Sequence, residues 1–206
     1  DGIKMLRRIE LLARISHRTE DKQTETSWKR FIAAVVLQHG DWSVTEHVGV
    51  TVIFRVDRGV THELVRHRLG AYTQESTRFV SYGKKDVEFV LPEFASRDVG
   101  VADVARILWE ESMRDSEITY LALLDTGQLP QMARSVLPNA TASTIAVTYN
   151  LRQWRHFFMM RTPKEVHPDF RRVTLPLLTA FKERIPLLYD DIEPNIKQSI
   201  SIARAR

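Results

Sequence analysis

The sequence predicts an α+β fold: an antiparallel sheet flanked by helices, in one domain. Three observations carry this reading. Val48, Val50, Val52, Phe54 and Val56 alternate with His47, Gly49, Thr51, Ile53 and Arg55, the period of a strand. Val101, Val104, Ala105 and Leu108 recur at helical spacing within a long segment that stops at Gly127. The 206 residues are 43% hydrophobic, enough for one buried core.

The elements follow in chain order. Residues 21–38 read as a helix, with Asp21 and Thr24 offering caps and Phe31, Val35 and Val36 forming an apolar stripe before Gly40. Residues 46–57 are the long strand, turned by Asp57-Arg58-Gly59. A short helix spans 60–69 and ends near Gly70. Residues 71–79 are polar without either period and read as a loop. Residues 87–91 read as a short strand stopped by Pro92, within a charged connection over 83–97. The longest helix covers 98–126, and a short one follows Pro130. Residues 140–149 fit either period. Residues 151–160 are an aromatic-rich helix, whose Trp154, Phe157 and Phe158 suit either a core or an interface. Phe170, Val173, Leu177, Phe181, Ile185 and Leu188 mark a last helix that Pro176 should kink or delay. The domain is taken as 1–206, with 190–206 a loose tail.

Composition removes several function classes. No stretch approaches eighteen apolar residues, so no membrane span or membrane partner is expected. The opening Asp-Gly-Ile-Lys-Met-Leu-Arg-Arg lacks an apolar signal core, and a cytoplasmic location is expected. The missing initiator Met suggests a fragment or trimmed chain. There are no cysteines, hence no disulfide, thiolate metal site or cysteine nucleophile. Histidines and carboxylates lack metal spacing, His62 with Glu63 and His167 with Asp169 being isolated, so no metal is expected. The net charge of +4 suits an anionic ligand or drift alike. A nucleic-acid partner is disfavoured, because the arginines of interest are scattered from 66 to 161 among apolar helices rather than along one basic stripe.

The chemistry concentrates in residues 66–78, Arg-His-Arg-Leu-Gly-Ala-Tyr-Thr-Gln-Glu-Ser-Thr-Arg. Arg66, His67 and Arg68 end a helix, where its dipole favours cations. The segment after them adds hydroxyls, amides and Arg78. Guanidinium forks, hydroxyls and backbone N–H groups together can cradle a phosphate. A salt-bridged, solvated loop would have the same composition. Arg134 and Arg161 lie in apolar helical settings, where each alone reads as structural.

Taken together, these segments resemble the flavin-dependent thymidylate synthases. Arg66-His67-Arg68, seven residues and then Ser76 and Arg78 carry the resemblance, extended by Gln74-Glu75-Ser76-Thr77-Arg78. Further segments stand in the family's order: Ala13-Arg14-Ile15-Ser16; His39-Gly40, Ser43 and Glu46-His47; Ala133-Arg134-Ser135-Val136-Leu137-Pro138; Asn150-Leu151-Arg152; Trp154-Arg155-His156-Phe157-Phe158, Arg161 and His167-Pro168. The likeness covers roughly residues 10–190. There is no Gly-x-Gly-x-x-Gly after a strand, so a Rossmann flavoprotein is not expected.

The resemblance implies a single domain of that family's type and a homotetramer with active sites shared between subunits. It implies conversion of dUMP to dTMP, with methylenetetrahydrofolate giving the carbon and NADPH the hydride through noncovalent FAD. A flavin route needs no cysteine nucleophile, which agrees with the composition. It also implies that dUMP is held by Glu63, Arg66, Gln74, Glu75, Ser76, Thr77, Arg78, Arg134 and Arg161. Ser76 would activate and orient the pyrimidine, Arg78 and Arg134 would meet the phosphate, and Arg161 would stabilise charge on the uracil ring. FAD would be held by Ser16, Ser43, Glu46, Arg66, His67, Arg68, Gln74, Asn150, Arg152 and His156. On residues alone, Ser76 could instead be a turn hydroxyl, and His156 a surface histidine. The chain departs from the family at Asp41 (often His), Ala71 (often Ser), Phe79 (often Tyr) and Glu63 (often Gln). The intact arginine and Ser76 set argues against a relative that has lost catalysis.

Overall fold

The structure, a computed structural model, describes residues 1–79, 87–96 and 101–194. The charged connection at 83–86 and 97, the helix start at 98–100 and the tail at 195–206 lie outside the described residues. Helices and a three-stranded antiparallel sheet make up the fold. The strands are β1 (Gly49–Asp57), β2 (Ala71–Gln74) and β3 (Ala142–Asn150), in the order β1-β3-β2. Leu151 N–H donates to Val48 O at 3.0 Å and Arg58 N–H to Thr141 O at 3.1 Å, fixing the β1–β3 register at both ends. The backbone forms two compact units, Asp1–Val50 with Thr148–Arg206, and Thr51–Val147; the division falls inside β1 and β3.

The first unit opens with α1 (Gly2–Arg14), an element that the segment-by-segment expectation lacks. Asp1 caps it through Ile3 N–H, and Leu6, Ile9 and Glu10 form its buried face. The helix expected over 21–38 begins later. Thr24 and Ser27 exchange side-chain and backbone hydrogen bonds, so α2 starts at Ser27, runs to Phe31 and continues as π-helical turns over Ile32–Gln38. Asp21 lies in a separate 3₁₀ turn. The chain crosses 42–47 as 3₁₀ turns, so the strand expected from 46 begins at Gly49.

Glu10 is fully buried and fully engaged. Its Oε1 accepts from Arg14 Nε at 2.9 Å and Nη2 at 2.7 Å, and its Oε2 accepts from Ser27 Oγ at 2.9 Å. A buried carboxylate persists only when paired and bonded in this way, and the set ties α1 to the start of α2.

The later helices of this unit are α6 (Leu151–Arg161) and α7 (Pro168–Arg184). Trp154, Phe157 and Phe158 are buried core, joined by Tyr149, Phe170, Phe181 and Tyr189. Ring centroids stand 5.3 Å apart for Trp154–Phe157 and 5.0 Å for Phe158–Phe181, both edge-on. Tyr189 donates its hydroxyl to Leu151 O at 3.0 Å, and burial pushes its pKa far above the ordinary tyrosine value. α7 passes through Pro176, which neither ends it nor delays its start. The first residues of the expected tail are pinned: Ile192 is 1% exposed, Lys182 Nζ donates to its carbonyl at 2.9 Å, and Asp191 pairs with Arg155 at 2.5 Å.

In the second unit, Asp57 caps α3 (Arg58–Leu64) by accepting from Val60 N–H at 2.8 Å. This helix starts two residues before the expected 60 and ends well before 69; Leu69 turns the chain with φ 64°. The expected loop over 71–79 begins instead as β2, an edge strand on β3. The expected strand at 87–91 is a single antiparallel bridge between Phe89 and Thr141. In β3 the strand period wins, with Ile145, Val147 and Tyr149 buried on one face.

α4 (Val101–Asp125) is the longest helix, but its orientation differs from the expectation. Val104 and Leu108 are 60% and 62% exposed, while Met113 and Tyr120 are buried, Tyr120 in a cluster with Val87 and Ala133. Gly127, at φ +85°, ends the turn after it, donating to Leu124 O at 2.8 Å. α5 (Pro130–Ala133) follows, with Pro130 in its first turn.

Candidate active site

In the second unit, the end of α3 and β2 place the motif residues. Glu63 is half-buried on the helix, and Arg66 and Arg68 are exposed in the turn after it. His67 is 8% exposed, and its carbonyl accepts from the Tyr72 hydroxyl, which folds the turn back on itself. Gln74 is held inward, with Nε2 donating to Thr61 Oγ1 at 3.0 Å and Ser143 Oγ at 3.2 Å. Glu75 extends the pairing to β3: its N–H donates to Thr144 O at 2.8 Å, and its carboxylate accepts from Thr144 N–H at 3.3 Å.

Beyond β2 the chain turns through Ser76. Ser76 Oγ accepts from Arg78 N–H at 3.3 Å, and Ser76 O accepts from Phe79 N–H at 3.2 Å. Ser76 is thus a turn hydroxyl, yet this contact leaves the hydroxyl proton to be donated elsewhere. Arg78 is exposed, with its guanidinium 5.4 Å from the Phe79 ring centre. Thr77 is 5% exposed, and its Oγ1 accepts from Arg134 Nη1 at 3.1 Å. Residues 57 positions apart therefore meet, Arg134 being carried there by the 3₁₀ turn Arg134–Val136 that follows α5. An open cleft of about 440 Å³ lies here, lined by Arg58, Thr77, Gln131, Arg134, Ser135 and Leu137. It presents two guanidiniums, two hydroxyls and an amide, and none of its lining residues is a carboxylate. That donor set suits an oxyanion.

The remaining candidates belong to the first unit. Ser16 is exposed, and its hydroxyl donates to Ala13 O at 2.8 Å. Ser43 is exposed on the 3₁₀ turns before β1. Glu46 and Arg152, both expected to hold flavin, pair with each other at 2.6 Å on the surface. Asn150 is the cap of α6, its Oδ1 accepting from Gln153 N–H at 2.8 Å, whereas His156 is exposed on the helix. Arg161 ends α6 with its guanidinium 5.0 Å from the Phe170 ring centre.

Three polar cleft residues went unread in the sequence: Arg58, Gln131 and Ser135. Arg58 read as part of a turn, and Gln131 fell without a role in the short helix after Pro130. Ser135 stood within a quoted segment without a role. Only their proximity to Arg134 marks them. Among the described residues, no group of histidines or carboxylates is placed to hold a metal, and no helix is long and apolar enough to cross a membrane.

Residues 4–187 match the family described as thymidylate synthase complementing protein. A flavin-dependent thymidylate synthase of Corynebacterium efficiens is 33% identical over 202 residues, covering 90% of this chain and 78% of that protein. One from Corynebacterium aurimucosum is 37% identical over 168 residues, 76% of this chain and 67% of the relative. One from Mycobacterium tuberculosis is 35% identical over 170 residues, 77% and 67% of the two chains.

Proposed function

The chain belongs to the thymidylate synthase complementing protein family, whose relatives named above are flavin-dependent thymidylate synthases, and we propose that it converts dUMP to dTMP by reductive methylation. Methylenetetrahydrofolate is the carbon donor and NADPH the hydride source in this reading, with no cysteine nucleophile. The observation that carries it is the Arg134–Thr77 pair at the rim of a cleft without carboxylates.

Glu63, Arg66, Gln74, Glu75, Ser76, Thr77, Arg78, Arg134 and Arg161 bind dUMP. Arg134, oriented by Thr77, and Arg78 take the phosphate. Ser76 donates its free hydroxyl proton to the pyrimidine and serves as an orienting group rather than an attacking one. Arg161 supplies a fixed positive charge for the uracil ring, and such a charge lowers the barrier by stabilising charge that grows in the transition state.

The donor set fits FAD. Exposed Arg66 and Arg68 suit a pyrophosphate, and His67, Ser16, Ser43, Glu46, Gln74, Arg152 and His156 offer donors and acceptors for the ribityl and ring edges. Asn150 contributes by capping the helix that carries Arg152 and His156. Bound FAD supplies the hydride-transfer chemistry that no side chain can. A homotetramer in the cytoplasm, of the family's fold type, completes the reading; exposed Val104, Ile107, Leu108 and Ile118 on α4 support an assembly.

The test is the absorption spectrum of the purified chain followed by dUMP titration. A noncovalent flavin spectrum, and NADPH oxidation that accelerates with dUMP, are expected. A colourless protein that takes up neither FAD nor dUMP would end the proposal.

A further inference from the structure

We infer that Arg58 is a phosphate-binding residue for the nucleotide, a second guanidinium facing the same anion as Arg134. The inference rests on the dUMP reading above and adds a residue to it.

The backbone fixes Arg58 more firmly than a surface arginine needs. Its N–H donates to both Asn139 O at 2.8 Å and Thr141 O at 3.1 Å. Asp57, the residue before it, is committed to capping α3 through Val60 N–H at 2.8 Å. The first helical position therefore cannot shift without breaking the cap and the end of the β1–β3 ladder. The Asp57 carboxylate is occupied by that cap, and among the described residues the Arg58 guanidinium makes no ion pair. The side chain lines the cleft that also receives Thr77, Gln131, Arg134 and Ser135.

Two like charges lining one cleft without a carboxylate repel each other, and an oxyanion between them removes the repulsion. Arg134 is oriented from one side by buried Thr77, and Arg58 is anchored from the other by the strand ladder. Two guanidiniums carried on separately anchored backbone segments can grip separate oxygens of one phosphate, whereas a single fork leaves it free to rotate. The same donors would suit one phosphate of a dinucleotide, so the experiment separates the two sources.

Arg58→Ala, Arg58→Lys and Arg134→Ala, with the unaltered chain as reference, are titrated calorimetrically with dUMP, deoxyuridine and FAD. Arg58→Ala is expected to weaken dUMP binding by about tenfold or more, the loss of one charge-assisted contact. It should leave deoxyuridine and FAD affinities within about twofold. Arg58→Lys, which keeps the charge and loses the fork, should fall between. Inorganic phosphate should compete with dUMP less effectively in Arg58→Ala than in the unaltered chain.

Arg58→Ala and Arg58→Lys both binding dUMP like the unaltered chain, while Arg134→Ala does not, would overturn the inference and leave the dUMP reading standing. A loss confined to FAD would overturn the assignment to the monophosphate. Failure of the unaltered chain to bind dUMP would sink both. Because deoxyuridine lacks only the phosphate, equal losses for dUMP and deoxyuridine would mark a merely structural role and also overturn it.

Discussion

Arg134 donates through Nη1 to Thr77 Oγ1 at 3.1 Å, and the hydroxyl that receives it is almost entirely buried. The threonine therefore acts as an aiming device: it fixes one edge of the guanidinium and leaves the other toward the cleft. Thr77→Val keeps the volume and removes the acceptor. We expect the KM for dUMP to rise about tenfold or more with kcat little changed, since a hydrogen bond to a charged group carries about 1.5–3 kcal/mol. Steady-state kinetics check this; an unchanged KM would free Arg134 from any need for its partner.

Arg161 is expected to behave oppositely. Its guanidinium lies against Phe170, an exchange worth about 0.5–1 kcal/mol near a surface. Arg161→Ala should therefore melt within a few degrees of the unaltered protein. Turnover should fall by about 10²–10³-fold, as when a transition-state charge partner is removed. Normal dTMP formation by that variant would remove the electrostatic role proposed for it.

Asp191 gives a pH-dependent test in the first unit. Its hydrogen bond with Arg155 holds its carboxyl below the ordinary 3.8, against the opposing effect of burial. The stabilisation is present in full above the unfolded value and disappears as pH falls through the lower, folded one. Asp191→Asn should thus melt earlier than the unaltered chain at neutral pH, and the two melting temperatures should converge as the pH falls below the lowered pKa of Asp191. A gap that persists in acid would assign the effect to packing instead.

Glu10→Ala should be the most damaging of these substitutions. It leaves Arg14 with 15% of its side chain exposed and without its carboxylate, a cost of about 3–5 kcal/mol for breaking such a pair. Chemical denaturation measures it, and a loss under about 1 kcal/mol would show that α1 is held by its apolar face alone.

The sequence was most informative where periodicity and punctuation agreed. Strand β1 and helix α6 stand close to their expected places because alternation in one and a compact aromatic-rich run in the other report local geometry. β2 was not visible: Ala71-Tyr72-Thr73-Gln74 is an edge strand whose stability comes from β3, some seventy residues away. α1 could have been found, since Leu6, Ile9 and Glu10 recur at helical spacing behind Asp1, but a buried glutamate disguises the apolar stripe. For α4 the period was right and the inward face was not, because Met113 and Tyr120 rather than Val104 and Leu108 fill the core. Periodicity finds an apolar face without saying what it meets. The site shows the same division. The run from Arg66 to Arg78 is contiguous and so legible as a motif. Arg58 joins the Arg134 cleft only through folding, which no spacing encodes.

The buried acid on the first helix also constrains how this protein can diverge. Exchanging either Glu10 or Arg14 alone strands an ion in an apolar setting, while exchanging both for neutral side chains of similar bulk removes the penalty altogether. Descendants of this chain should therefore carry the couple intact or lack it entirely, and a lineage that holds only one partner should show a compensating change at Ser27 or Gln23, the other two groups that reach the same carboxylate.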